Sequence, residues 1–275
     1  MQAEKTDIDY ASITERQQTV WAAGDFHEIA RQTMSMSEAL VAAVDPRAGQ
    51  RVLDVACGSG NAALVAARRY CEVTGIDYVP ELIEHARIRA EAEAVSIDFR
   101  VGDAQVLPFP DGSFDVVLSA IGVMFAPDQE QAASELLRVC RPGGKIALAS
   151  WMPEQFGGDF FGAHARHVPP PPGVKPPVRW GTETGLEELL GGGTEQIRNR
   201  RYTTYAYYHS IEHIMELFRR YFGPTVLAFE KVNPADRQSL HDDIAAVFRR
   251  YNRAEDGTAV IAYEHLQTVA IRSAE

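Results

Sequence analysis

Several large protein classes are excluded by what this sequence lacks. It has three cysteines, Cys57, Cys71 and Cys140, an odd number with no C-x-x-C spacing and no nearby histidine pair. A disulfide framework or zinc ribbon needs such spacing, so the three read as small buried apolar residues and no metal is expected. No block of lysine and arginine occurs, and the net charge is −11. A phosphate backbone is bound through basic patches, so no nucleic-acid partner is expected. No run approaches the roughly 18 apolar residues of a membrane span. The start of the chain shows no basic segment followed by an apolar core, and a cytoplasmic location is the expectation. Internal repeats are also absent.

What is present is ordinary globular material, 45% hydrophobic and 24% charged over 275 residues. That length buries a sizeable core, as one large domain or a domain with a lid.

The informative stretch is Val52-Leu53-Asp54-Val55-Ala56-Cys57-Gly58-Ser59-Gly60-Asn61. An apolar run stops at two glycines, and an alanine-rich helical pattern follows through Tyr70. This is strand, tight turn and helix, the unit that approaches a nucleotide-like ligand. Gly58 to Ala63 also fits the dinucleotide pattern, with Asp77 about twenty residues further on. Asp54 separates the two readings. A pyrophosphate gains nothing from a carboxylate aimed at the loop, whereas S-adenosylmethionine carries an ammonium and a sulfonium. The stretch resembles motif I of the class I S-adenosylmethionine-dependent methyltransferases, an acid followed by G-x-G.

Later segments extend the resemblance. Glu72 to Asp77 is a short β-rich run ending in an acid, where a carboxylate can accept both hydroxyls of a ribose. Pro80 opens a helix over 80–94, leaving Tyr78 or Val79 for an adenine face. Ser96 to Val101 alternates and runs into Gly102-Asp103-Ala104, where Asp103 can accept an adenine amine. Leu107-Pro108-Phe109, Ser113-Phe114-Asp115 and a hydrophobic strand through Ala120 follow, then Asp128 as a helix N-cap. Leu137 to Lys145 reads L-R-V-C-R-P-G-G-K before a strand at Ile146 to Trp151. As a set over residues 50–151 these resemble the methyltransferase motifs, nearest to the bacterial ubiquinone and menaquinone C-methyltransferases. Cys57 stands where that group often has Thr or Gly.

The resemblance implies a doubly wound, Rossmann-like α/β fold with seven mostly parallel strands, one antiparallel. It implies S-adenosylmethionine as cofactor, leaving S-adenosylhomocysteine, held by Asp54, Ala56, Gly58, Gly60, Asn61, Asp77, Tyr78, Gly102, Asp103, Ala104 and Ala120. The reaction implied is in-line methyl transfer to an O-, N- or C-nucleophile of a small molecule. The expected organisation is a single domain: a helical cap (1–46), a cofactor-binding core (47–151), a lid (152–195), then strands 6 and 7 with helices (196–275).

In the cap, a polar helix from Tyr10 to Ala23 breaks at Gly24, so Trp21 and Phe26 either pack a helix turn or cover the site. Residues 152–195 are rich in glycine and proline, which predicts a semi-rigid lid of polyproline geometry. Arg200 to Tyr208 reads as a strand, 211–222 and 234–252 as helices, and Ala259 to Ile271 as the antiparallel strand. Residues expected to face the acceptor are Tyr10, Trp21, His27, Met124, Phe125 and His164. A general base, where the chemistry needs one, would come from His27, His164, His167, His209 or His213, without a choice among them. The apolar lid suggests a small, partly aromatic or lipid-like substrate. Two other readings stay open. An NAD(P)-dependent oxidoreductase is opposed by Asp54, by Gly102-Asp103-Ala104 and by the lack of a Tyr-x-x-x-Lys pattern. A non-catalytic S-adenosylmethionine-binding regulator is compatible, because cofactor motifs alone perform no chemistry.

Overall fold

The computed structural model describes residues 8–274, so residues 1–7 of the expected cap lie outside it. The chain opens with α1 (Tyr10–Ala22), α2 (Phe26–Ala30) and α3 (Met34–Val44). It then alternates through β1 (Arg51–Val55), α4 (Asn61–Ala67), β2 (Glu72–Asp77), α5 (Pro80–Ala92) and β3 (Ile97–Val101). Next come β4 (Phe114–Ala120), α6 (Gln129–Val139), β5 (Cys140–Trp151), α7 (Phe156–His167), α8 (Glu183–Leu190) and β6 (Thr194–Tyr208). The chain ends with α9 (Ile211–Tyr221), α10 (Gly223–Lys231), α11 (Arg237–Tyr251) and β7 (Ala259–Arg272).

Among the described residues seven strands form one sheet in the order β3-β2-β1-β4-β5-β7-β6. The first five run parallel, and β7 lies antiparallel between β5 and β6, as the sequence leads one to expect. Val52 to Val55 are buried without alternation, which requires cover on both faces of the sheet. The alanines of α4 allow close approach to the sheet, and every residue of that helix is buried. Strand order reverses between β1 and β4, so a crevice opens beyond their carboxyl ends. Helix starts are fixed locally: Asp9, Asp25 and Asp128 cap α1, α2 and α6, and Pro80 stands at the start of α5.

The 152–195 segment departs from the polyproline expectation. It folds as α7, a 3-10 turn over Pro177–Gly181, and α8. Phe156, Phe160, Ala163 and His164 bury one face of α7, and Leu186, Leu189 and Leu190 one face of α8. Helical apolar spacing decided the outcome, and the proline runs 169–172 and 176–177 fall in the connection between the helices. Strand β6 begins at Thr194 rather than Arg200, and Pro224 opens α10, a helix missed in the sequence.

Gly24 and Gly223 fix the cap against the late helices. A Cβ at Gly24 would lie 2.2 Å from the Tyr221 carbonyl oxygen, and one at Gly223 would lie 2.0 Å from that of Val20. The end of α1 therefore lies against the α9–α10 turn, and together they cover the crevice. Among the described residues no helix is long and apolar enough to cross a membrane.

Candidate active site

The site is built around the turn that joins β1 to α4. Ala56, Gly58 and Gly60 all have positive φ, of 52°, 54° and 84°. Left-handed backbone suits glycine, so the alanine is the strained member. A Cβ added to Gly58 would meet nothing nearer than the Phe26 ring at 3.8 Å, so the turn presents bare backbone to the space above it. Gly58 donates its N–H to Asp77 Oδ2 at 2.8 Å, and Val79 donates to Asp77 Oδ1 at 2.9 Å. One carboxylate thus ties the turn to the end of β2. Asp54 Oδ2 accepts the Ala63 N–H at 2.9 Å.

Both acids are buried, at 1% and 5% exposure. Burial pushes Asp54 up to about 7 and Asp77 up to about 6, against the pull of their backbone N–H partners. Asp103 Oδ1 accepts the Gln105 N–H at 2.9 Å, and the Gln105 side chain donates to both Asp103 and Thr14 Oγ1. The cap is tied down twice more: Gln18 Nε2 donates to the Tyr78 carbonyl at 2.5 Å, and Asn61 Nδ2 to the Ala30 carbonyl at 2.9 Å.

These elements surround a partly open cavity. Asp54, Ala56, Gly58, Asn61, Asp77, Tyr78, Gly102, Asp103, Ala104 and Ala120 all line it. Gly60, expected among them, sits behind the wall; a Cβ there would lie 2.9 Å from the Phe99 ring. Its task is to start α4 in a left-handed conformation under that ring.

Trp21 and Phe125 also line the cavity, whereas Tyr10, His27, Met124 and His164 do not. Tyr10 is the first residue of α1, and the cavity meets that helix further along, at Thr14, Gln17 and Trp21. Met124 is 1% exposed and belongs to the core. Both ring nitrogens of His164 lie 2.9 Å from protein partners, the Phe160 carbonyl and Thr225 Oγ1. Burial pushes His164 down to about 4, so it is a neutral structural histidine. His27 stacks on His85 with ring centroids 4.8 Å apart, at the junction of α2 and α5. His167 bonds Asp243 at 2.8 Å, and His213 accepts the backbone N–H of His209. None of the five candidate bases lines the cavity.

Around Trp21 and Phe125, the far wall holds further residues that sequence reading did not single out. Trp21, Phe125, Phe161, Phe160 and Phe222 form a closed circuit of rings, with successive centroids 4.9, 5.4, 5.5, 5.6 and 5.6 Å apart. These spacings are those of favourable aromatic pairs. Trp151, Phe156, Phe218 and Tyr263 continue the wall. The available signal was the F-x-x-x-F-F spacing of residues 156–161, obscured by the neighbouring glycines. No Lys, Arg or His is among the described residues that line the cavity.

The donor set fits a cationic nucleoside better than a dinucleotide. Asp54 and Asp77 have no cation opposite them in the cavity wall, and the Gln17 Oε1 atom is buried without a partner. An ammonium gains from this arrangement, and a pyrophosphate is repelled by it.

Comparison with known proteins agrees. A family model described as a methyltransferase domain matches residues 53–148. The chain therefore carries a class I S-adenosylmethionine-dependent methyltransferase domain. An uncharacterised protein of Mycobacterium tuberculosis is 36% identical over 253 residues, covering 88% of this chain and 92% of that one. The demethylmenaquinone methyltransferase of Deinococcus radiodurans is 39% identical over 145 residues, covering 51% of this chain and 60% of that one. In fold the chain is similar to the YcgJ protein of Bacillus subtilis, with TM-score 0.61, 22% identity, and coverage of 87% and 99%. The protein is therefore an enzyme that uses S-adenosylmethionine, and the oxidoreductase reading is withdrawn.

Proposed function

We propose that this enzyme transfers a methyl group to an uncharged, ring-bearing small molecule held in the aromatic half of the cavity, by in-line displacement. The observation that carries this reading is the closed aromatic circuit facing a carboxylate-lined turn, with no Lys, Arg or His in the wall. Asp54 and Asn61 would hold the amino-acid end of the cofactor, Asp77 and Tyr78 the ribose and one adenine face, and Asp103 with Ala104 the adenine edge. When bound, the cofactor supplies an already activated methyl group. The chain's own contribution is then alignment and exclusion of water. Residues 8–46 and residues 152–195 act as cap and lid over the core.

With no histidine in the wall, the acceptor is a nucleophile that reaches the site reactive while uncharged, such as a neutral amine or the electron-rich ring carbon of a neutral phenol or enol. A carboxylate-bearing acceptor would lack a cation to pair with, and burial of an unpaired charge is costly. The net charge of −11 favours a small molecule over a nucleic acid, and the cytoplasmic location expected from sequence belongs with this reading. The demethylmenaquinone methyltransferase relative makes a hydroxylated bicyclic ring a sensible first acceptor to screen.

The test follows S-adenosylhomocysteine formation over a panel of matched ring compounds with and without a carboxylate. Turnover confined to the uncharged members is expected. Preference for the carboxylates would overturn the assignment of the aromatic half.

A further inference from the structure

Ring contacts alone do not orient an acceptor, because an aromatic wall grips any flat apolar face. Among the cavity walls supplied by β5, α7, α9 and β7, the one hydroxyl belongs to Tyr263. Its ring is flanked by Trp151 and Phe156, with centroids 5.4 and 4.6 Å away, and both of these also line the cavity. Tyr263 Oη lies 3.2 Å from Tyr208 Oη, and both residues are buried, at 3% and 7% exposure.

The sheet register gives the direction of that contact. Tyr263 of β7 is paired with Thr204 of β6, and Tyr208 lies four residues further along β6. Because β7 is antiparallel to both β5 and β6, β6 runs in the same sense as the parallel strands. The end of β6 therefore points to the carboxyl edge, where the cavity lies. The two hydroxyls meet on the cavity side of the Thr204 position.

Two hydroxyls that share one hydrogen bond use one of their two protons. Among the described residues no other group bonds either oxygen, so one O–H donor and several lone pairs are unspent in apolar surroundings. A buried donor without a partner is unfavourable, and a ligand oxygen would satisfy it.

We propose that the Tyr208–Tyr263 hydroxyl pair is the polar anchor of the acceptor chamber, recognising a phenol, enol or carbonyl oxygen on the ring compound and setting its orientation. The proposal rests on the reading of the aromatic half as the acceptor chamber. Burial pushes both phenols up, Tyr208 to about 12, so the pair stays protonated through neutral pH and acts as a hydrogen-bond donor rather than a base. The anchor selects oxygenated rings over plain ones, and that selection is independent of pH across the neutral range.

The probes are 2-naphthol and naphthalene, titrated by fluorescence into the full chain saturated with S-adenosylhomocysteine, in the unsubstituted protein and in Tyr263→Phe and Tyr208→Phe. Calorimetric S-adenosylhomocysteine affinity unchanged in both variants shows that the fold and the cofactor half are intact. The expected result is about tenfold preference for 2-naphthol, the worth of one hydrogen bond. Tyr263→Phe should abolish the preference by weakening 2-naphthol alone, and Tyr208→Phe should reduce it. Equal binding of the two probes by the unsubstituted protein overturns the anchor and leaves the chamber standing. So does a preference that survives Tyr263→Phe, or naphthalene affinity falling together with that of 2-naphthol. Binding of neither probe beside tight S-adenosylhomocysteine binding overturns the chamber, and the anchor with it.

Discussion

On the side of the β1–α4 turn, the cavity wall holds two buried carboxylates, each fixed by backbone N–H groups. Across the cavity, the wall is a circuit of rings without charge. The first half is assembled from short neighbouring stretches, 54–61, 77–79 and 102–105, at the ends of three adjacent strands. The second half draws Trp21 from α1, Phe125 from the turn after β4, Phe160 and Phe161 from α7, and Phe222 from between α9 and α10. The division matches the cofactor and the acceptor proposed for it. One cofactor has fixed charges and asks for fixed polar geometry on rigid strand ends. An apolar acceptor asks for area and shape, which distant segments can supply jointly.

The largest effect should come from Asp77. Its carboxylate is the joint between the glycine turn and the end of β2, and its two N–H bonds are charge-assisted. Asp77→Ala releases Gly58 and removes an acceptor from the cavity wall. The two hydrogen bonds that this carboxylate would accept from the ribose hydroxyls, at roughly 1.5–3 kcal/mol each, amount to a loss of about 100-fold or more in S-adenosylhomocysteine affinity. Calorimetric titration measures this directly, with NADH as the control expected to give no heat. Retention of affinity within a few-fold would break the contrast between a charge-built half and an area-built half.

A smaller and opposite pattern is expected on the other side. Trp21 contacts Phe26, Phe125 and Phe222 at centroid distances of 5.5, 4.9 and 5.6 Å, so Trp21→Ala opens the circuit. Loss of one ring contact to the acceptor removes roughly 0.5–1.5 kcal/mol beyond its area, so acceptor KM should rise up to about tenfold. S-adenosylhomocysteine affinity should move by less than about threefold, since remote sites are close to additive. Equal losses for both ligands would mean that the cap is a single cooperative lid and that the two halves are not separate.

The same division explains what the sequence revealed. Asp54, the glycine turn, Asp77 and Gly102-Asp103-Ala104 act through backbone geometry at strand ends, and that geometry is encoded within a few consecutive residues. The doubly wound order and the antiparallel β7 were legible for the same reason, since each unit is a local alternation of strand and helix. The aromatic circuit was not legible, because nothing in the spacing of residues 21, 125, 160, 161 and 222 says that they meet. His164 was misread because position in the lid says nothing of its partners; Thr225 is 61 residues away. Met124 was misread for a related reason: within the turn after β4, Phe125 faces the cavity and Met124 the core. Proline content misled over 152–195, where helical spacing of apolar residues is the stronger determinant.

The subtlest expected effect is that of pH on the charged half. Asp54 and Asp77 are held above the ordinary carboxylate range, at about 7 and about 6, because burial penalises their ionised forms. A carboxylate raised in the folded state favours folding while it is protonated, and that contribution is lost as pH rises through the folded value. The ligand-free protein should therefore gain stability from these two groups as pH falls from about 7 towards the unfolded values near 4. Cofactor binding runs the other way. The ammonium of S-adenosylhomocysteine prefers the ionised acids, so binding expels protons and tightens with rising pH, levelling off above about 7. Titrations at pH 6 in buffers of different ionisation enthalpy should show release of about one proton per ligand, and at pH 8 close to none. Acceptor KM, set by rings and by phenols that do not titrate here, should stay flat over the same interval for an acceptor that does not itself ionise. A proton count of zero at pH 6 would mean that the ammonium lies away from Asp54. The amino-acid end of the cofactor would then have to be held by neutral groups such as Asn61.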